Sequence, residues 1–230
     1  MTRRLVVNFH GIGAPPAWAD ADERRSWCTE AVFNTLLDCI PSVTADTGLP
    51  IELTFDDGNL SDVAVACPAL ARRGLKASFF VCAGRIGQLG YLGKHELHEL
   101  AAAGMQIGSH GWGHIDWRRV RDADVWRREV VDARDCIEQT LGMGPIRSVA
   151  IPFGSYDRRV VRAASQAFSK VYTSDGGPTL RSGVLVPRES YTVRWDADTL
   201  QRLASPMPLL LAMRRSLVLA YKRRRASPQA

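Results

Sequence analysis

Seven short apolar runs, separated by stretches whose apolar residues recur every three or four positions, limit this chain more than any other feature. The runs are Leu5 to Phe9, Ile51 to Phe55, Ala77 to Cys82, Met105 to Gly108, Val149 to Phe153, Lys170 to Thr173 and Val184 to Val186. Short runs bounded by Gly, Pro or polar residues are what strands buried on both faces look like. The stretches between them predict helices over Trp27 to Ile40, Val63 to Leu70, His95 to Ala103, Val125 to Leu141 and Val160 to Phe168. Ser61 stands as an N-cap ahead of Val63, and Gly74, Gly104 and Gly142 follow helix ends. Strands alternating with helices form an α/β fold around a mainly parallel sheet, either open and doubly wound or closed into a small barrel.

Composition narrows the setting. At 46% hydrophobic and 23% charged, the 230 residues read as a soluble globular chain rather than a disordered one. No uninterrupted apolar stretch is longer than that of Leu209 to Met213, which stops at Arg214, far short of the ~20 residues that cross a bilayer. The apolar segment after Arg3 and Arg4 is too short for a secretory core, so a cytoplasmic chain is expected. Five cysteines without CxxC spacing read as idle thiols. The net charge of +6 is local, because Arg214, Arg215, Lys222, Arg223, Arg224 and Arg225 lie in a tail with no acid after Asp198. Without these six cations the body holds 24 basic and 24 acidic residues, which gives no broad basic face for nucleic acid. The expected division is therefore a body over 1–208 and a basic helix or tail over 209–230. The tail either packs on the body with its arginines solvated or attaches loosely to anionic lipid, which would make the protein peripheral to the inner membrane surface.

In parallel α/β folds the chemistry collects where strands end. Here those ends carry His10, the pair Asp56-Asp57, Ser109-His110, Pro152 to Gly154, Asp175 and Arg188. Two adjacent carboxylates at a partly buried strand end repel, and a cation beside them relieves the repulsion; Asp-Asp-Gly read alone serves equally as a turn or cap. His110 and His114, four apart in Gly108-Ser109-His110-Gly111-Trp112-Gly113-His114, belong to a glycine-laced loop rather than a regular helix. An isolated pair of this kind is more often two surface imidazoles. Its occurrence with the carboxylate pair at another strand end favours one shared ion, because imidazole with carboxylate is a normal zinc set.

Thr54-Phe55-Asp56-Asp57-Gly58 and the His110/His114 pair together resemble the polysaccharide deacetylase family, carbohydrate esterase family 4. The likeness runs in order from Leu5 to Arg188. It implies a distorted seven-stranded (β/α) barrel, TIM-barrel-like. It also implies a divalent ion on Asp57, His110 and His114, with Asp56 as the base. Zinc suits that set, and cobalt or nickel would bind too. The family's third motif, Arg-x-Pro-Tyr/Phe, is met in part by Ala150-Ile151-Pro152-Phe153, with the backbone N–H of Phe153 implied to hold the oxyanion. The implied substrate is an N-acetylated amino sugar of a glycan or glycan precursor, or an acetylated sugar such as xylan.

Two departures matter. The family's late Leu-x-His acid is absent, since no histidine follows His114, and the candidates to protonate the leaving group are His10 or water, His95 and His98 reading as solvated helix residues. Ala150 stands where the family's arginine orients the catalytic aspartate, and Arg188 is the candidate replacement, with a structural pairing to Asp175 or Glu189 as the alternative. Trp112, Trp117 and Tyr156 are candidates to floor a sugar site, against ordinary packing. Asn59, Ser61 and Asp62 read as caps of the following helix. Competing functions are a catalytically silent carbohydrate-binding relative and an amidase on a small non-sugar substrate.

Overall fold

In β1 (Arg3–Phe9) six consecutive residues after exposed Arg3 are buried, so both faces of the strand leave water. The structure, a computed structural model, describes residues 3–17, 19 and 21–225. After β1, α1 (Ala21–Arg24) and α2 (Glu30–Thr47) lead to β2 (Ile51–Phe55), and a π-helical turn over Asp62–Ala66 runs into α3 (Cys67–Ala71). β3 (Ala77–Val81), α4 (Lys94–Ala102) and β4 (Gln106–Ser109) follow. α5 (Ala123–Arg127), a second π-helical turn over Arg128–Asp132 and α6 (Ala133–Leu141) are contiguous and precede β5 (Ser148–Ala150). α7 (Arg158–Ala167), β6 (Lys170–Thr173), β7 (Thr179–Leu180), β8 (Leu185–Pro187), β9 (Glu189–Ser190), α8 (Thr199–Ala204) and α9 (Leu209–Arg224) complete the chain.

The strands run β7-β1-β2-β3-β4-β5-β6-β8, with β9 returning to β1, and all pairs except β7 with β1 are parallel. The segment from Leu185 to Ser190 closes the sheet. Its first half pairs with β6 (Thr173 opposite Pro187), and its second half pairs with β1 (Asn8 opposite Ser190). Arg188 sits at the switch, its N–H on Thr173 O at 2.9 Å, while Tyr191 N–H donates to Asn8 O at 2.8 Å. The result is seven staves, as the apolar runs predict, plus the short antiparallel β7, which carries no apolar run to announce it.

Alternate residues face the barrel interior. Val6, Phe80, Ala150, Tyr172 and Val186 form a small buried cluster there. Gly108 faces them for lack of room, because a Cβ on it would lie 2.5 Å from the Phe80 ring. One step nearer the carboxyl ends, the same alternation turns Asn8, Thr54 and Arg188 inward, and the next step brings His10, Asp56 and His110. Outside, Phe9, Phe33, Phe55 and Phe79 pack strands against α2, with Phe55 and Phe79 stacked at 4.6 Å.

Two helix boundaries differ from the sequence expectation. α2 continues through Pro41 to Gly48, a left-handed C-cap (φ 65°), because the stripe of Phe33, Leu36, Leu37, Ile40 and Val43 keeps burying apolar surface past the proline. Ser61 makes no side-chain cap; its Oγ instead accepts Ile12 N–H at 3.1 Å, tying β1's exit loop to the start of the π turn. The basic tail is helical to Arg224, and 226–230 lie outside the described residues.

Candidate active site

Asp56, the first residue past β2, is buried and clamped from two strands. Arg188 donates Nη1 to its Oδ1 at 2.7 Å and Nη2 to its Oδ2 at 2.8 Å, a two-pronged guanidinium–carboxylate pair. Asn8 Nδ2 donates to Oδ2 at 3.0 Å, while Asn8 Oδ1 accepts from Arg188 Nη1 and Thr54 Oγ1, both at 2.8 Å. The guanidinium also lies over Phe80 and Tyr172, 5.5 and 5.8 Å from their centroids. Burial alone would raise the Asp56 pKa, but Arg188, with His110 and His10, holds the carboxyl well below its usual range. Arg188 therefore points at Asp56, not at Asp175 or Glu189.

Asp57 has φ 77° and turns toward the histidine loop. His110 Nδ1 lies 2.8 Å from Ala150 O. A carbonyl can only accept, so Nδ1 carries the hydrogen and Nε2 is the ring atom turned toward the two aspartates. Thus Ala150, which cannot supply an arginine, orients the His110 ring through its backbone. His114 Nε2 is 3.4 Å and His110 Nε2 3.8 Å from Asp57 Oδ1. Burial lowers the His114 pKa to about 4, overriding the pull of Asp57, so this imidazole is neutral at pH 7. Burial also pushes on Asp57, but His114, His10, His110 and Arg85 together bring its pKa down.

The donor set fits a tetrahedral divalent ion. Asp57, His110 and His114 each offer one ligand atom, all within 4.8 Å of one another. Ligand atoms about 2.1 Å from one zinc would stand about 3.4 Å apart, which His114 and Asp57 already meet and His110 misses by a few tenths of an ångström. The His114 imidazole is neutral at pH 7, and Asp57 is ionised. Arg85 Nη1 donates to the same Asp57 Oδ1 at 3.2 Å, supplying positive charge from the rim.

The loop holding the two histidines is fastened by Glu129, which sits in the second π turn and is buried. Its Oε2 accepts from Trp112 N–H and Trp117 Nε1, both at 3.1 Å, and its Oε1 accepts from Gly113 N–H at 2.8 Å. Gly111 is required here, because at φ 80° a Cβ would fall 2.6 Å from Glu129 Oε2. Among the described residues, the non-glycine positions with positive φ are Asp57 (77°), His114 (54°) and Phe153 (58°). All three belong to this one site. Such backbone strain, of order 1 kcal/mol or more each, survives where surrounding contacts over-determine it.

The remaining expected residues divide. His10 is at the site: it acts electrostatically on both aspartates, and its Nδ1 is enclosed without a hydrogen-bond partner. Pro152 is buried, and Phe153 after it is exposed with its ring 4.5 Å from that of His114. Tyr156 cannot floor a sugar site. It is fully buried, its hydroxyl donates to Asp175 Oδ2 at 2.5 Å, and Lys222 covers its ring. Trp117 is likewise buried, and half-buried Trp112 has the Arg128 guanidinium 4.8 Å from its ring centroid, so of the aromatic candidates Phe153 alone presents an open face. Asp62 is no cap either: it is fully buried, neither oxygen has a hydrogen-bond partner, and burial with Asp57 and Asp56 nearby raises its pKa well above the carboxylate range. Asn8, Glu129 and Arg85 are the contributors that sequence reasoning missed. Asn8 had a signal, a lone amide inside the apolar run Leu5 to Phe9.

A (β/α) barrel with a carboxylate–imidazole cluster on its carboxyl-end rim is a hydrolase scaffold of the deacetylase kind. The polysaccharide deacetylase family pattern matches residues 45–171, and the chain belongs to that family. It is 33% identical over 123 residues to the peptidoglycan-N-acetylglucosamine deacetylase PgdA of Listeria monocytogenes, which spans 53% of this chain and 25% of that protein. The chain thus covers about a quarter of the length of that relative. Among solved structures, the Streptococcus pyogenes deacetylase PplD in complex with acetate superposes with a TM-score of 0.75 at 19% identity, covering 89% of this chain and 99% of that one. IcaB from Ammonifex degensii gives 0.68 at 20% identity, covering 89% and 96%. These likenesses establish the fold.

Proposed function

We propose that this chain is a metal-dependent deacetylase that hydrolyses the N-acetyl group of an amino sugar in a glycan or glycan precursor. The observation that carries the reading is the set Asp57, His110 and His114 converging beside a separate, clamped carboxylate, Asp56. A site that only bound an ion would not need that second carboxylate. A divalent ion, with zinc best suited to this donor set, would supply Lewis acidity, making water easier to deprotonate and the acyl carbonyl more electrophilic.

The chain's own residues do the rest. Arg188 and Asn8 fix the Asp56 carboxylate in one orientation and keep it ionised, ready to take a proton from the attacking water. The Phe153 N–H, at a turn with φ 58°, would meet the developing oxyanion. His10 is the group coupled to both carboxylates that can return a proton to the departing nitrogen. Acetate and a free amine result. The exposed Phe153 ring offers an apolar surface to a pyranose.

The test is acetate release from N-acetylglucosamine oligomers by chelator-treated protein with and without added zinc, with small N-acetyl amides as comparison. Zinc-dependent release from the oligomers supports the reading. Release from small amides alone would make the chain an amidase, and zinc binding with no release from either would make it a silent carbohydrate-binding relative.

A further inference from the structure

The barrel site leaves α9 without a task, yet seven of the exposed large apolar side chains among the described residues belong to this helix. None of its residues is buried. Leu209, Leu210, Met213, Leu217 and Tyr221 are each more than half exposed, Leu210 by 81%. At 3.6 residues per turn these five fall within an arc of roughly 120°, the width of an apolar helix face. Exposed Arg214 and Arg224 lie on or beside that same arc.

The opposite side of the helix is already used. Ala212, Arg215, Leu219 and Lys222 are half-buried against the barrel. Lys222 Nζ pairs with Asp175 Oδ1 at 2.6 Å, Arg215 donates to Gly176 O, and Arg225 Nη2 donates to Tyr156 O at 2.7 Å. The apolar arc is thus not a core face that failed to dock, since the docked face is a different one. All three anchors belong to loops leaving β5 and β6 at the carboxyl-end rim, where Asp56 and Asp57 stand. A cavity of about 380 Å³ lined by Ser174, Asp175, Arg188, Ser190, Met207 and Arg215 lies between this end of the helix and the residue that clamps Asp56.

We propose that α9 is a surface anchor that lies in the interface of an anionic phospholipid bilayer. Charge chooses this occupant. Between Asp198 and Arg225 no acid occurs, and of the six cations from Arg214 to Arg225 three, Arg214, Arg223 and Arg224, are exposed, the other three being the anchors. A leucine stripe flanked by arginines matches acyl chains bordered by anionic headgroups, and long cationic stems can lie along the apolar face while their heads reach phosphate. A second copy fits worse, because two such faces packed together would set Arg214 and Arg224 against like charges. The first half of α9 borders a cavity with Arg3, Gly48 and Leu49 at the barrel's amino end, so adsorption would lay the flank of the barrel on the membrane, with the rim carrying the carboxylates and histidines opening along its surface. Taken with the hydrolase reading, on which this one consequence rests, the glycan reached there is one held at the bilayer surface.

The experiment is co-sedimentation of the full chain with phosphatidylglycerol–phosphatidylcholine vesicles and with pure phosphatidylcholine vesicles, together with sedimentation velocity of the protein alone. It needs no substrate, so its failure leaves the hydrolase reading intact. Partition into the anionic vesicles alone, weakened by salt and at least about tenfold by the double substitution L210S/L217S, supports the proposal. Unchanged melting of that variant shows that the barrel is undisturbed. Equal partition into both vesicle types, none into either, or undiminished binding by the double variant overturns it. A concentration-dependent dimer that L210S/L217S dissociates, without vesicle binding, overturns it in favour of a second copy.

Discussion

Replacing Arg188 with methionine removes the cation from a pair whose members are almost fully enclosed, 1% and 3% exposed for Arg188 and Asp56. Among hydrogen-bond donors Asp56 then keeps Asn8, and three acceptors, Asn8 Oδ1, Thr54 Oγ1 and Thr173 O, lose a donor. Stripping one partner from a buried ion pair costs about 3–5 kcal/mol. At about 2–4 °C per kcal/mol for a chain of this size, the melting temperature should fall by roughly 6–20 °C. The pH dependence should also invert. In the wild type the Asp56 pKa is depressed, so its contribution is full above the unfolded value of about 3.9 and is lost only as pH falls through the folded value. Without Arg188 the burial effect is less opposed and the pKa rises, so the folded state holds a proton the unfolded state lacks, and stability declines as pH increases above about 4. Thermal unfolding of chelator-treated protein from pH 4 to 8 reads both effects, and Arg188→Lys, which restores charge without the two-pronged geometry, should fall between. A methionine variant that melts within about 2 °C of wild type with a parallel pH curve would refute the clamp.

Glu129→Gln replaces one acceptor oxygen of a carboxylate that holds three N–H groups, so zinc affinity measured by competition with a chromophoric chelator should fall about tenfold or more while the barrel stays folded. In chelator-treated protein His114 has a pKa near 4 against about 6.5 when unfolded, so between those values the unfolded chain binds more protons and stability should rise with pH; His114→Gln should flatten that segment of the melting curve. Burial beside Asp57 and Asp56 raises the Asp62 pKa, so its ionisation opposes folding increasingly as pH rises above the unfolded value, and Asp62→Asn should raise the melting temperature by an amount that grows with pH. If that variant melts lower than wild type, Asp62 has a partner this structure does not reveal.

Much of the architecture was legible because buried parallel strands write themselves as short apolar runs, and all seven staves are there. The strand ends likewise announce Asp56, Asp57, His110 and His114, since charged residues directly after apolar runs are costly unless used. Long-range pairings were harder to read. Arg188 could be nominated from its place after Pro187, but its grip on a residue 132 positions away depends on the barrel closing between β6 and β1. Glu129 looks in the sequence like any helix acid; only a π turn rotates it toward the histidine loop. Tyr156 and Trp117 misled for a related reason, because an aromatic near a motif is as useful for packing as for stacking, and the fold enclosed both.

The whole account rests on one ion being shared by Asp57, His110 and His114 while Asp56 stays outside the coordination set. Zinc titration of the chelator-treated wild type, Asp57→Asn and Asp56→Asn, with acetate release followed on the same samples, tests this directly. The expected result is one zinc per wild-type chain, affinity lost by at least about a hundredfold in Asp57→Asn, and zinc kept but acetate release abolished in Asp56→Asn. Zinc binding that ignores Asp57, or an Asp56→Asn variant that still releases acetate at the wild-type rate, would contradict it.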